Sequence, residues 1–231
     1  MASAVRSVAI EVERKFLCLP STSMVLQQNK GHPPFQTLRF LKQSSFADCY
    51  FDRQNLLTNR GIWVRKRDNL WQAKIRIAGD FQNSKFEEIQ GRDQVFNLLQ
   101  DLHISNPQPG GADFGLLPIA KFTSTRHTWQ ADEKFTIVID CTNFGHTVGE
   151  VELQCQVDGQ SVLEEKEELT HRMDQEIDSF MQKYAWAFPK GKAMGKLSAY
   201  FQQQRQSVQD EHEDGGHFKN KSGLHIAKEN V

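Results

Sequence analysis

Pairs of like-charged side chains two residues apart are the most chemically informative feature of this sequence. Among these pairs are Glu11 with Glu13, Glu150 with Glu152, and Arg65 with Arg67, each on a strand-like segment. On a strand the two members lie on one face, so each pair repels unless an ion of opposite charge lies between them. Mg²⁺ prefers carboxylate and water oxygens, and guanidinium groups match phosphate oxygens. Together the pairs predict one kind of ligand, a polyphosphate with a bound divalent metal.

Strands are required to position these side chains, and the sequence contains many strand-like segments. They are predicted at 8–17, 35–42, 46–51, 61–67, 71–77, 85–90, 120–130, 135–142 and 147–157. Asp68-Asn69 is a two-residue turn signal between two of them. Helical spacing predicts helices at 93–102, 161–184 and 194–204, and residues 106–111 read as a loop. The pattern predicts an α+β, mainly β fold in which one antiparallel sheet closes on itself, with helices packed outside.

Alternation separates a charged face from an apolar face on several strands. In the last strand Glu150 and Glu152 lie opposite Val151 and Leu153. An antiparallel sheet with one solvated face explains any single strand of this kind. Like-charged pairs on several strands favour the other interpretation, in which the charged faces turn inward and line a tunnel.

Composition excludes several classes of protein. With 231 residues and a formal net charge of −1, the chain can bury one sizeable core and has no global attraction to nucleic acid or anionic membranes. No secretion-signal pattern and no membrane-length apolar stretch are present, so a cytoplasmic location is predicted. Four cysteines without a CxxC pair are expected to be reduced thiols. We predict a monomer with one domain at 1–205 and a polar, disordered tail at 206–231.

A series of short motifs makes the sequence recognisable. The segment IEVERKF at 10–16 contains an ExExK signature, and further motifs follow in order: DCYFD at 48–52, WVRKR at 63–67, QAK at 72–74, FEE at 86–88, TR at 125–126, GEVE at 149–152 and MGKL at 194–197. The combination resembles the CYTH superfamily over about 9–204, a superfamily that includes class IV adenylate cyclases and thiamine triphosphatases. Trp63 and the segment DCTNFG at 140–145 are more similar to the thiamine triphosphatases.

The resemblance implies a fold, a reaction and a set of site residues. The fold is a closed antiparallel eight-stranded β-barrel, the triphosphate tunnel, and the reaction is metal-dependent hydrolysis of thiamine triphosphate to thiamine diphosphate and phosphate. The implied ligands of Mg²⁺, with Mn²⁺ as a substitute, are Glu11, Glu13, Glu88, Asp140, Glu150 and Glu152. The implied substrate-binding residues are Lys15, Trp63, Arg65, Arg67, Lys74, Arg126, Glu150 and Lys196. The implied catalytic group is Glu11, Glu13, Lys15, Glu150 and Glu152.

Several alternatives stay open at this point. Hydrolysis of inorganic triphosphate and class IV-type adenylate cyclase activity use the same fold, and a polyphosphate-binding module would need no catalysis. An RNA 5′-triphosphatase is disfavoured because no basic tract outside the tunnel would guide RNA. Glu87 competes with Glu88 for the inward position, and Trp63 either stacks on the organic end of the substrate or packs at the barrel mouth. The inward direction of Arg126 rests on the resemblance alone.

Overall fold

The structure, a computed structural model, describes residues 7–104, 113–158 and 162–217. The strands are β1 Ser7–Leu17, β2 Leu38–Asp52, β3 Ile62–Arg67, β4 Leu70–Gly79, β5 Asn83–Gln90, β6 Leu117–Ala131, β7 Phe135–Thr142 and β8 Thr147–Asp158. The helices are α1 Thr22–Gln28, α2 Arg92–Asp101, α3 Leu163–Lys183 and α4 Lys196–His217, with a short 3-10 helix at Thr58–Arg60. None of the helices in these ranges has the length and apolar character needed to cross a membrane.

The eight strands form one antiparallel sheet that closes on itself. Their order around the ring is β1-β5-β4-β3-β2-β6-β7-β8, and β8 pairs with β1 over residues 7–17 and 148–158. Each strand therefore has a hydrogen-bonded neighbour on both sides. This confirms the predicted closed antiparallel sheet of eight strands with helices outside it.

A two-residue turn connects β3 to β4. Asp68 and Asn69 have φ angles of 44° and 75°, the conformation of a two-residue hairpin turn, and they join β3 to β4 as predicted.

The separate strands predicted at 35–42 and 46–51 are one strand, β2, so this predicted division was wrong. Its backbone pairs with β6 from Leu38 to Asp52, with irregularities near residue 41 and between Tyr50 and Phe51, so the ladder carries it through a polar stretch.

The last helix is longer than the sequence pattern predicts. The prediction ended this helix at residue 204, but α4 continues to His217, so residues 206–217 of the predicted disordered tail are helical. Intrahelical hydrogen bonds and helix-forming residues such as Gln206 and Gln209 extend the helix beyond its last apolar residues, so no apolar face marks its end. Residues 218–231 of that tail, and the loop predicted at 106–111, lie outside the described residues.

Two of the apolar cores lie on the outer side of the ring. The larger core joins outward side chains of β1, β7 and β8 to α3, and its members include Ile10, Val12, Phe16, Ile137, Val151, Leu153, Met173, Ile177 and Phe180. A second core joins β3, β4 and β5 to α2, and includes Val64, Trp71, Ala73, Ile89, Val95 and Leu99. Because the helices cover these apolar faces, the alternate, charged faces of the same strands point into the ring.

The contact between β1 and β8 has no room for an extra methyl group at Gly149. A Cβ added there would lie 2.2 Å from Cζ of Phe16, whose buried ring packs edge-on against Phe188. We expect Gly149→Ala to lower the free energy of unfolding by about 1–3 kcal/mol through overpacking, as measured by urea denaturation. Thr147→Ala, at an exposed position of the same strand, is the control. Equal stability of the two variants would contradict this packing.

Candidate active site inside the closed sheet

The inward faces of the strands line one cavity of about 290 Å³. Twelve of the thirteen residues that the sequence assigns to the site line it: Glu11, Glu13, Lys15, Trp63, Arg65, Arg67, Lys74, Glu88, Arg126, Glu150, Glu152 and Lys196. Asp140 is the exception and lies behind this lining. Arg126 therefore points into the cavity, as the resemblance implied.

Three buried carboxylates from two adjacent strands come together on one side of the cavity. Glu11 and Glu13 of β1 and Glu152 of β8 each offer an oxygen within 4.8 Å of the others, and Glu13 lies directly opposite Glu152 in the strand register. Burial raises the pKa of Glu11 to about 7. Burial and the neighbouring Glu11 raise the pKa of Glu152 well above its usual value. Three such groups cannot all ionise at low cost without a cation, so the donor set fits a divalent metal.

Lysines neutralise part of this carboxylate group. Lys74 donates to Glu11 and Glu13, and its Nζ lies 3.2 Å from Oε1 of Glu88. Lys15 donates to Glu13, and its Nζ lies 3.7 Å from Oε1 of Glu150. Although burial opposes ionisation, Lys74 and Lys15 hold the pKa of Glu13 below its usual range. The lysines thus keep Glu13 ionised, whereas the raised pKa values of Glu11 and Glu152 show that the charges of these two carboxylates are not fully balanced.

Asp140 anchors two cations and does not join the three carboxylates. Its buried carboxylate accepts hydrogen bonds from Nε and Nη2 of Arg126, both at 2.7 Å, and from Nζ of Lys196. Although burial opposes ionisation, Lys196 and Arg126 hold the pKa of Asp140 below its usual range. Since both oxygens are engaged, Asp140 aims the cations at the cavity. Its implied metal contact stays a prediction that this geometry does not favour.

A second buried aspartate does the same for Arg67, and sequence reasoning gave it no role. Asp48 of β2 accepts hydrogen bonds from Nε and Nη2 of Arg67 at 2.7 and 2.8 Å, and the two residues lie opposite each other in the register. The ring of Phe46 lies 3.8 Å from Cζ of Arg67 and 5.6 Å from Cζ of Arg126. The motif at 48–52 signalled Asp48, but only the pairing of β2 with β3 reveals what it holds.

The remaining lining residues are placed by polar contacts and by strand register. Nε of Arg65 donates to Oε1 of Gln72 at 2.8 Å, and its Nη1 donates to the hydroxyl of Tyr50 at 3.3 Å. The alternative left open between two glutamates is resolved, because Glu88 faces the cavity while Glu87 accepts a hydrogen bond from Lys166 of α3 at 3.0 Å. The cavity therefore has a carboxylate side, with cations on the strands around it.

Trp63 lies in the cavity lining, as predicted. Its ring meets Phe86 edge-on, with the ring centres 5.7 Å apart, and packs against the apolar cluster of Tyr50, Ala120 and Phe122. The guanidinium of Arg76 lies 4.8 Å from the indole centre. Trp63 is thus packed on one side and faces cavity groups on another, while its stacking on the organic end of a substrate stays a prediction.

Most of the chain is similar to proteins of one known family. The model of the CYTH domain family matches residues 9–185, from β1 to just past α3. The chain belongs to the CYTH family. The thiamine-triphosphatase of Homo sapiens is 30% identical over 161 residues, which cover 62% of this chain and 67% of the relative. The thiamine-triphosphatase of Macaca fascicularis is 28% identical over 162 residues, which cover 62% of this chain and 67% of the relative.

Two solved structures share the CYTH fold of this chain. A protein of Pyrococcus horikoshii OT3 has a TM-score of 0.54 at 15% identity, covering 84% of this chain and 99% of its own. A protein of Hippeastrum, described as a putative adenylyl cyclase with a dominant triphosphatase activity, has a TM-score of 0.51 at 17% identity, covering 84% of this chain and 95% of its own. At these identities the likeness supports the fold alone. The CYTH match ends before α4, so Lys196 lies outside it.

Proposed function

We propose that this CYTH protein is a metal-dependent triphosphatase that cleaves thiamine triphosphate to thiamine diphosphate and phosphate. The observation that carries the proposal is one cavity inside the closed sheet, with a buried carboxylate group on one side and seven cationic side chains in its lining. A binding module for polyphosphate alone would gain nothing from three buried carboxylates. The names of the human and macaque relatives support thiamine as the organic part of the substrate.

The cations of the lining bind and neutralise the triphosphate in this proposal. Phosphoryl transfer depends on positioning and charge neutralisation more than on a covalent intermediate. The residues assigned to phosphate oxygens are Lys15, Arg65, Arg67, Lys74, Arg126 and Lys196. Asp48 and Asp140 keep two of the arginines in fixed orientations, because each accepts two hydrogen bonds from one guanidinium. When the triphosphate binds, its phosphate oxygens replace carboxylates as the partners of the lysines.

The carboxylates have two tasks in the reaction. Glu11, Glu13 and Glu152 would hold Mg²⁺, with Mn²⁺ as a substitute, while Glu150 and Glu88 complete the acidic surface. The metal supplies positive charge that stabilises the oxygens of the transferred phosphoryl group. The water oxygen bonds to the terminal phosphorus as the bridging P–O bond breaks and the diphosphate leaves with the electron pair. A cavity carboxylate outside this metal set, such as Glu150, orients the attacking water and accepts its proton.

A substrate panel with a metal control tests this function. Purified protein is incubated with Mg²⁺ and with thiamine triphosphate, inorganic triphosphate or ATP, and phosphate release is measured with and without EDTA. We expect release to be fastest from thiamine triphosphate and to stop in EDTA, because the carboxylate group then has no metal. Faster release from inorganic triphosphate would identify the protein as an inorganic triphosphatase. Formation of cyclic AMP from ATP would identify it as an adenylate cyclase.

No phosphate release from any of the three compounds would contradict the enzymatic proposal and favour a binding module.

The proposal also includes a cytoplasmic location, a monomeric state and the absence of nucleic-acid or membrane partners. It rests on the near-neutral net charge and on the small size of the proposed substrate.

A further inference from the structure

Arg76 is a cation of the cavity lining that the proposed reaction does not use. It follows Lys74 on the inward face of β4, and its guanidinium lies 4.8 Å from the ring centre of Trp63 and 4.6 Å from that of Phe81. Its Nε is buried and has no hydrogen-bond partner in the described part of the chain. Arg65, Arg67 and Arg126 all use Nε in a hydrogen bond. Arg76 therefore contacts aromatic rings without the polar partner at Nε that those arginines have.

The connection between β4 and β5 fixes the position of Phe81. Oδ1 of Asp80 accepts hydrogen bonds from the backbone N–H groups of Gln82 and Asn83, both at 2.7 Å. Gly79 has a φ of 85°, and a Cβ added there would lie 2.0 Å from the carbonyl oxygen of Asn83. The connection is thus a defined turn, and it presents an aromatic side chain that is 67% exposed at the rim of the cavity.

The two rings and the guanidinium together describe a site for a planar cation. A guanidinium and a thiazolium are both flat and positively charged, and both are attracted to the face of an aromatic ring. We propose that Trp63 and Phe81 form an aromatic clamp for the planar cation of the substrate, and that Arg76 is the resident cation which the substrate displaces. The inference rests on the proposed function and deepens it, because it adds Phe81 and Arg76 to the recognition of the organic end, for which the resemblance implied Trp63 alone.

Selectivity follows from this displacement. A substrate with a planar cation must move Arg76 out of the clamp, whereas inorganic triphosphate has no group that competes for that place. Arg76 therefore weakens the preference for thiamine triphosphate, and Phe81 strengthens it. The measure of both effects is the kcat/KM for thiamine triphosphate divided by that for inorganic triphosphate, in which general effects on the cavity cancel.

Two variants with opposite expected effects test the clamp. We expect Arg76→Gln to raise the ratio of kcat/KM values by roughly tenfold, and Phe81→Leu to lower it by roughly fivefold, on the scale of a cation–π contact. Arg39→Gln is the matched control, since Arg39 is an exposed arginine that contacts Gln130 outside the cavity. We expect it to leave the ratio unchanged.

Binding without turnover separates this inference from the proposed hydrolysis. Dissociation constants for thiamine triphosphate and inorganic triphosphate, measured by calorimetry in EDTA, should change in ratio in the same directions. If no variant hydrolyses either compound but the binding ratio shifts as stated, the clamp is supported and the hydrolysis proposal fails. An unchanged or lower ratio in Arg76→Gln, or a ratio in Phe81→Leu that does not fall, overturns the clamp whether or not phosphate is released.

Discussion

Glu152→Gln is expected to reduce kcat/KM for thiamine triphosphate by at least about 100-fold and yet raise the melting temperature in EDTA by roughly 2–4 °C. Activity falls because the amide removes one of three charges that would hold the metal. Stability rises because burial and Glu11 raise the pKa of Glu152, so that its ionised form costs free energy in the folded protein. A raised folded pKa means that stability is lost as the pH rises through that value. The gain from glutamine is therefore present at pH 7 and vanishes below the usual pKa of 4.5.

The control for this variant is Glu168→Gln, which changes an exposed glutamate of α3 in the same chemical way. We expect the control to leave activity and melting temperature close to those of the unaltered protein. Circular dichroism melts in EDTA and initial rates with Mg²⁺ measure the two effects. Full activity of Glu152→Gln would contradict a metal site at the three carboxylates. A melting temperature below that of the unaltered protein would contradict the claim that ionised Glu152 lowers the stability of the fold.

Asp140→Asn is expected to lower both stability and activity, in contrast to the first variant. It would leave the cations of Arg126 and Lys196 inside the protein without their shared counter-charge, and breaking such a buried pair costs about 3–5 kcal/mol. We expect kcat/KM to fall by about 100-fold because neither cation stays aimed at the phosphates. The folded pKa of Asp140 is lowered, so its stabilising effect is present above its usual pKa of 3.8 and is lost as the pH falls through the folded value.

Urea denaturation at pH 7 and initial-rate kinetics measure the effect of Asp140→Asn. Asp101→Asn, at an exposed position at the end of α2, is the matched control and should behave like the unaltered protein. If Asp140→Asn is inactive but fully stable, Asp140 acts through chemistry at the metal and not as an anchor for Arg126. Full stability together with full activity would contradict both roles.

The charged lining could be predicted from the sequence because strand side chains alternate strictly. A period of two was enough to assign several charged residues to one face of their strand, namely Glu11, Glu13 and Lys15 on one strand and Glu150 and Glu152 on another. The covering of the opposite face by helices then dictates that this face points inward. The closed sheet was predicted from the many strand-like segments with few helices among them, and its eight strands from the resemblance to the CYTH superfamily.

The partners of the lining residues could not be predicted, because they depend on register between strands distant in sequence. The anchoring of Arg67 by Asp48 requires the pairing of β2 with β3, and the anchoring of Arg126 by Asp140 requires that of β6 with β7. Arg76 had no predicted role, and only the turn that presents Phe81 shows that its guanidinium lies beside two aromatic rings. The length of α4 was missed because no change in apolar pattern marks its end.

A crystal structure with Mn²⁺ and a non-hydrolysable imido analogue of triphosphate tests the central claim most directly, because anomalous scattering locates the metal. The account predicts Mn²⁺ bound by Glu11, Glu13 and Glu152, with analogue oxygens beside the cationic side chains of the same cavity, among them Arg65 and Arg126. Mn²⁺ bound elsewhere, or an analogue bound outside the closed sheet, would contradict the claim that metal and triphosphate share its interior.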